Sequence, residues 1–332
     1  MPADLHIAIP NNNKRDLLRQ SLQALPGAAT RYTLSATVVD NASTDGSADM
    51  VATDFPDVGL VRRTAKHGSS ANFNVGLLAA ASARYLGIMH EDAYPNPGAF
   101  DSVLAFLDAH PRAGGLSPRI RFPDGELDST PRRFPTVLGE SLGKLRPLSS
   151  WFGVAGYDEE TSEAFRVDYN SATCLIFRHE ALERVGLFDE SFVIFYEEVD
   201  LSRRLADDGW ETWFVPEAEV VHAGGITRQR QEVSTEVQAR YRAIANHYPG
   251  SKYLYFRKHT GRSAELALRA IDVTISSLRI MLGLTMRMAG RERTGTAGEV
   301  AYQLSVLRNA AANWPPLDPA LEVRLPRVGP RE

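Results

Sequence analysis

The run Thr37-Val38-Val39-Asp40-Asn41-Ala42-Ser43-Thr44-Asp45-Gly46-Ser47 decides how this chain is read. Thr37–Val39 is β-favouring, it closes on Asp40-Asn41, and Ser47–Val51 opens a helical pattern. A carboxylate placed directly after a strand can accept hydrogen bonds from a ribose or a base. It can equally belong to a turn in which Asp45 or Ser47 caps the next helix.

The same strand–polar–helix pattern repeats on both sides of that run. Leu5–Ile9 is a strand that leads into Pro10-Asn11-Asn12-Asn13, and Leu17, Leu18, Leu22 and Leu25 then recur at helical spacing. Val58–Val61 is a third strand, Ser70–Ala83 an Ala-rich helix, and Tyr85–Met89 a fourth strand ending on His90-Glu91-Asp92. This alternation predicts an α/β fold, a mostly parallel central sheet with helices on both faces. In such sheets ligands sit beyond the carboxyl ends of the strands, so polar residues directly after a strand carry the most weight. Phe122–Arg166 holds Pro123, Gly125, Pro131, Pro135 and Pro147 and reads as an active-site flap or acceptor segment. Ala172–Phe177 resumes as a buried strand, Glu198–Asp207 is a helix stopped by Gly209, and Thr212–Val215 and Glu219–His222 are two short strands. After Gly225 the pattern is helical to about Asn313.

Composition narrows the classes. Of 332 residues 43% are hydrophobic, enough for a sizeable core, and the net charge of −4 gives no basic face for nucleic acid. One cysteine, Cys174, excludes a disulfide framework within the chain. The start of the chain lacks a secretion pattern, and no window of about 18 uncharged apolar residues suggests a membrane span. The expected location is cytoplasmic, at the inner face of the cell membrane if the protein is peripheral.

Three further segments carry candidate chemistry. His90-Glu91-Asp92 can hold a hard divalent cation that bridges two phosphates, or be a solvated acidic turn before Pro95 and Pro97. Phe195-Tyr196-Glu197-Glu198-Val199-Asp200 places three carboxylates at a helix start. They suit the helix dipole, or supply a general base at a fixed point. His222, at a strand end before Gly224-Gly225, is a structural histidine or a ligand to a metal or phosphate.

In their order and spacing these segments resemble the family 2 glycosyltransferases, bacterial rhamnosyltransferase-like members above all, from about Leu5 to Arg228. Val39–Gly46 is similar to the family's nucleotide-binding segment, Gly68–Gly76 to its Gly/Asn segment, and Met89–Asp92 to its DxD-type element. The resemblance implies a GT-A fold, with a catalytic domain at 1–228 (nucleotide part about 1–120, acceptor part about 121–228) and a helical region at 229–332. It implies a metal-dependent inverting transfer from dTDP-rhamnose or a UDP-sugar to a saccharide or lipid-linked saccharide, in bacterial surface polysaccharide or glycolipid synthesis. Carried over residue by residue, it assigns the donor nucleotide to Pro10, Asn11, Asn13, Asp40, Asn41, Asn74 and Glu91. The acceptor falls to Asp168, Tyr169 and Trp210. Asp92 with His222 is assigned a Mg2+ or Mn2+ ion, and Glu198 is assigned the base with Glu197 beside it. Three positions depart from the family pattern: His90 replaces the first acid of the DxD element, Glu198 stands where an aspartate is usual, and Ala172 replaces a glycine. Two alternatives stay open. A sugar-phosphate nucleotidylyltransferase would need a Gly-rich basic loop after the first strand. A catalytically silent sugar-binding protein of the same fold is suggested by His90 and Glu198.

The C-terminal pattern goes beyond the resemblance. Glu265, Arg269, Asp272, Ser276, Arg279, Gly283 and Arg287 recur at steps of three or four, and almost everything else from Leu266 to Met288 is apolar. This predicts a helix either buried between subunits of a homo-oligomer, the favoured reading, or lying in a membrane interface. In the second case Arg257, Lys258, Arg262 and the stripe's arginines face lipid headgroups.

Overall fold

A computed structural model describes residues 2–80, 82–142, 157–223, 246–288, 296–312 and 323–325. The boundary expected near 228, the glycines after His222 and Pro147 lie outside the described residues.

The first half alternates as expected: β1 (Leu5–Asn11), α1 (Arg15–Ala28), β2 (Leu34–Asp40), α2 (Ser47–Asp54), β3 (Gly59–Arg62), α3 (Ser69–Leu78) and β4 (Tyr85–Met89). Then come β5 (Ala93–Pro95), α4 (Ala99–Ala109), β6 (Ala113–Arg121), β7 (Pro131–Arg132), α5 (Val137–Leu142), β8 (Phe165–Val167), β9 (Tyr169–Asn170), β10 (Cys174–Arg178), α6 (His179–Val185), α7 (Glu197–Asp207) and β11 (Glu211–His222). The C-terminal part contributes α8 (Tyr248–His259), α9 (Arg262–Met288) and α10 (Thr296–Ala311).

The central sheet runs β3-β2-β1-β4-β10-β6-β11-β5, with β8 also on β11. The pairs β3–β2, β2–β1, β1–β4 and β6–β11 are parallel, and β10 runs against both its neighbours. The carboxyl ends of β1, β2, β4, β6 and β11 therefore share one edge. The two short strands expected at 212–215 and 219–222 are one strand, with a register shift between Val215 and Glu219. Sequence reading assigns no strand to 113–121, yet β6 stands between β10 and β11.

Alternation along β1 serves both layers. Leu5, Ile7 and Ile9 pack with Leu18, Leu22 and Leu25 of α1 and with Phe100, Val103, Leu104 and Leu107 of α4. Ala8 faces the other way, towards Phe73 and Leu77 of α3 and, with Leu86, Ile88 and Phe177, the layer holding Leu201 and Leu205 of α7. A Cβ on Gly76 would stand 2.5 Å from that of Ala8, so α3 sits this close to β1 only because position 76 lacks one. A third cluster joins Phe192, Tyr196 and Val199 to Tyr253, Leu254, Tyr255 and Phe256 of α8, and to Leu268 of α9.

Helix α9 and its neighbour correct the expectation for Arg257, Lys258 and Arg269, while Arg262 and Arg287 are exposed. Its polar stripe is the inward face: Glu265, Asp272 and Ser276 are buried, while Leu278, Met281, Leu282 and Met288 are more than half exposed. Glu265 accepts from Arg257 Nε at 2.7 Å and from Arg269 Nε at 2.8 Å, and Lys258 reaches Asp189 at 2.6 Å. These cations are held by acids inside the chain and do not face headgroups. Among the described residues no helix is long and apolar enough to cross a membrane.

Lys252 and Asp272, each 1% exposed, form a buried ion pair between α8 and α9, and Tyr253 Oη donates to the same Asp272 oxygen at 2.7 Å. Removing one partner of such a pair strands a charge in an apolar setting. Lys252→Met or Asp272→Leu alone should cost about 3 kcal/mol in chemical denaturation, and the double variant clearly less than the sum. Additive losses, or single losses below about 0.5 kcal/mol, would mean that the pair is not a coupled element of the fold.

Candidate active site

Strand ends bring the donor-side residues together. Asp40, at the end of β2 and 3% exposed, accepts from Asn11 Nδ2 at 3.0 Å and from the Ser43 amide at 3.1 Å. Ser43 Oγ accepts from Asn11 Nδ2 at 3.0 Å and from the Asn13 amide at 3.1 Å, and Asn13 Oδ1 accepts from the Thr44 amide at 2.7 Å. Asn13 and Ala42 both hold φ at 55°, in the left-handed region that non-glycine residues seldom adopt. The two turns therefore form one cross-linked cradle, with Pro10 paired to Val39 in the strands behind it.

Other members of the predicted set have structural tasks. Asp45 accepts from the Ser47 amide at 3.0 Å and the Arg15 amide at 2.9 Å, so it serves the start of α2 as the capping reading had it. Asn41 is held to the backbone of His67 by two hydrogen bonds of 3.0 and 2.8 Å. Asn74, 1% exposed, donates to Phe188 O and Glu190 and accepts from the Phe188 amide, so its amide ties α3 to the 188–190 segment instead of lining the donor cradle. Trp210 is placed away from the site. It precedes β11 at the edge opposite His222, lies over Gly114 at the start of β6, and donates to Asp208 at 3.0 Å. A ring there cannot meet an acceptor at the carboxyl edge.

The segment after β4 meets the end of β11. The ligand atoms of His90, Asp92 and His222 all lie within 4.8 Å of one another, and Ala93 pairs with His222 across β5 and β11. Asp92 Oδ1 is buried without a hydrogen-bond partner, 3.4 Å from His222 Nε2. Two imidazoles and a carboxylate around an unpartnered buried oxygen suit Mn2+ or another borderline divalent ion. His90 departs from the family pattern in sequence, and the structure brings its ring to within 4.8 Å of the other two ligand atoms. Burial drives the His90 pKa down to about 4 and leaves its ring neutral, as a ligand must be. Burial pulls His222 the same way, but Asp128 at 2.7 Å from Nδ1 and Asp92 outweigh it and lift its pKa to about 9, so a metal would have to displace the Nε2 proton to bind this ring. Asp128 thus orients His222 from behind, the usual arrangement for a metal-ligating histidine. No local signal marked Asp128, which lies 36 residues beyond Asp92 in a loop. Lys14 was missed as well. Its Nζ is 2.6 Å from Asp92 Oδ2 and 3.3 Å from Glu91 Oε1. Burial raises Glu91 above the ordinary carboxyl range.

The third component is the start of α7. Phe195 and Tyr196 are consecutive left-handed residues, with φ of 67° and 68°. They turn the chain so that Glu197 and Glu198 open the helix. Burial, and then the Glu198 charge, push Glu197 well above its usual pKa. Burial lifts Glu198 to about 7, although the amides of Glu198 and Val199 and the Arg132 guanidinium oppose the rise. Oε2 of each has no hydrogen-bond partner, so the pair presents free acceptor capacity. The charge of Glu198 in turn adds to the burial that raises Tyr169, so Tyr169 stands beside it, and Asp168 accepts from the Phe134 amide at 2.7 Å. Two of the three predicted acceptor residues are thus near the carboxylate pair. A carboxylate that titrates near 7 beside a second raised carboxyl can take a proton from an alcohol.

Comparison with known proteins places this geometry. The chain is 29% identical over 276 residues to an N-acetylglucosaminyl-diphospho-decaprenol L-rhamnosyltransferase of Mycobacterium tuberculosis, covering 76% of this chain and 87% of the relative. It is 25% identical over 234 residues to an O-antigen biosynthesis protein of Myxococcus xanthus, covering 68% of this chain but only 18% of that protein. Among solved structures it resembles a mannosyltransferase from Pyrobaculum calidifontis in complex with GDP-Man and Mn2+, at TM-score 0.54 and 17% identity over 93% of this chain and 86% of that one. A GalNAc-T7 structure with UDP, GalNAc and Mn2+ matches at TM-score 0.54 and 14% identity, over 77% of this chain and 50% of that one. These two likenesses bear on the fold, which is GT-A. The family model described as glycosyl transferase family 2 matches residues 6–186, which include the donor cradle and the His90–Asp92 segment, and the chain belongs to that family of glycosyltransferases.

Proposed function

We propose that this glycosyltransferase moves L-rhamnose from dTDP-rhamnose to a hydroxyl of a lipid-linked saccharide, with inversion at the anomeric carbon, in bacterial cell-surface glycan synthesis. The observation that carries the mechanism is the grouping of His90, Asp92 and His222 at the sheet edge that also bears the Asp40 cradle, with the buried Glu197 and half-buried Glu198 opening α7. The sugar and the lipid-linked acceptor in the name of the mycobacterial relative support the sugar and acceptor assignment. So does the outward face of α9, where Leu278, Met281, Leu282 and Met288 form an apolar row suited to the bilayer that anchors such an acceptor.

In this reading Asp40 and Asn11 hold the nucleoside. Asp92, His90 and His222 would hold a divalent ion, which would supply positive charge to neutralise the diphosphate leaving group. Asp128 keeps the His222 ring in place. Glu198 accepts the proton of the acceptor hydroxyl as that oxygen attacks the anomeric carbon from the face opposite the diphosphate. The bond to the diphosphate oxygen breaks, and no sugar is joined to the protein. Burial and the charge of Glu198 raise the pKa of Glu197, so the pair resists carrying two negative charges. Glu190, Glu91 and Asp200 are less suited to the task. Glu190 is bonded to Asn74, Glu91 lies against Lys14, and Asp200 is locked by Arg204 and His259.

Three outcomes are expected. Glu198→Gln should bind dTDP normally while transfer falls by about two orders of magnitude or more. If Glu197→Gln is the inactive variant instead, the base is Glu197. A base acts only when ionised, and Glu198 is raised to about 7. The kcat profile should therefore climb through pH 7 to a plateau at higher pH, and a profile flat from pH 5 to 9 would remove Glu198 as the base. Excess EDTA with confirmed metal removal should stop transfer, and added Mn2+ should restore it to the wild type but not to Asp92→Asn. Full turnover in EDTA would end the metal reading.

A further inference from the structure

Lys14 has no task in that scheme, yet it occupies the centre of the site. It stands between the end of β1 and the start of α1, next to the left-handed Asn13, with its side chain 35% exposed. Its ammonium lies 2.6 Å from Asp92 Oδ2 and 3.3 Å from Glu91 Oε1. The two oxygens of Asp92 therefore differ in their surroundings. Oδ1 has no hydrogen-bond partner and faces His222, whereas Oδ2 carries the ammonium.

A divalent ion on Asp92 and an ammonium in contact with the same carboxylate repel each other strongly at this separation. The ammonium is the movable member. It sits on a flexible four-carbon stem that is partly open to solvent, while Asp92, His90 and His222 are fixed at strand ends. A nucleoside diphosphate bridged to one divalent ion still carries net negative charge. It lies at this same edge, where the start of α1 already presents a cationic side chain.

We propose that Lys14 is a displaceable cation: it gives up Asp92 to the divalent ion and moves its ammonium onto the donor diphosphate. The proposal rests on the reading of His90, Asp92 and His222 as a metal centre. It makes Lys14 a donor-binding residue and a competitor of the metal at the same time. Mere structural support of Asp92 would have the opposite effect on metal affinity.

The test is isothermal titration calorimetry on the full chain, comparing wild type, Lys14→Met and Asp92→Asn. Mn2+ is titrated first without nucleotide, and then dTDP, or UDP if the wild type binds that instead, in saturating Mn2+. Lys14→Met should bind Mn2+ at least five-fold more tightly than wild type and the nucleotide at least five-fold more weakly. Unchanged or weaker Mn2+ binding overturns the competition, and unchanged nucleotide binding overturns the transfer to the diphosphate. Wild type that binds no Mn2+, or Asp92→Asn that binds it equally well, defeats the metal-centre reading and this proposal with it. A misfolded variant cannot gain Mn2+ affinity, so the expected sign also guards against that outcome.

Discussion

The entry of the chain into α7 is the constraint on which the acceptor half of the site depends. Two adjacent non-glycine residues, Phe195 and Tyr196, are held in the left-handed region. Each costs on the order of 1–3 kcal/mol, so the surroundings must over-determine them. They do so from two sides. From α3, the Ser69 amide donates to Val193 O at 2.7 Å, Ser70 Oγ donates to Phe192 O, and Asn74 clasps Phe188. From α8, Ser251 Oγ donates to Ile194 O at 2.8 Å, and Tyr196 is buried against Tyr255 with ring centroids 5.4 Å apart. This clamp sets the direction in which Glu197 and Glu198 leave the turn.

The same clamp joins the C-terminal helices to the proposed base. Asp200, one turn into α7 and fully buried, accepts from Arg204 at 2.9 Å and from His259 at 2.7 Å, and it lies 2.9 Å from Lys258. Burial opposes its ionisation, but the Arg204 guanidinium, the His259 hydrogen bond and the Lys258 ammonium hold its pKa well below the usual carboxylate range. Helix α8 is thus part of the seat of the base helix. Val323 and Leu325, near the end of the chain, also return to pack on the α6–α7 layer, with Leu187 N donating to Val323 O at 2.7 Å.

The legible parts of the sequence were those where chemistry follows directly on a strand. Asp40, Asp92 and His222 each follow or end an apolar run, and a parallel sheet brings such positions to one edge. Strand β6 was illegible because Gly114, Gly115 and Pro118 interrupt its apolar pattern. The two glycines are needed there, since Trp210 and Phe177 press against the positions their side chains would fill. Asp128 and Lys14 act across 94 and 78 residues of separation, and no local pattern announces a partner that distant. Trp210 was misplaced because an aromatic near a strand says nothing about which end of the strand faces the ligand. The stripe on α9 was read correctly as a stripe but its side was not. Apolar-in is the usual rule, and here Glu265 and Asp272 are buried by cations contributed from α8.

The central claim is a direct displacement, with one carboxylate as base and the diphosphate leaving from the opposite face. The configuration of the new linkage tests it most directly. Product made by the wild-type chain from dTDP-rhamnose and a lipid-linked saccharide acceptor can be assigned by NMR from the one-bond C–H coupling at the anomeric carbon. An anomeric configuration opposite to that of the donor is expected, and a product of retained configuration would rule out direct displacement.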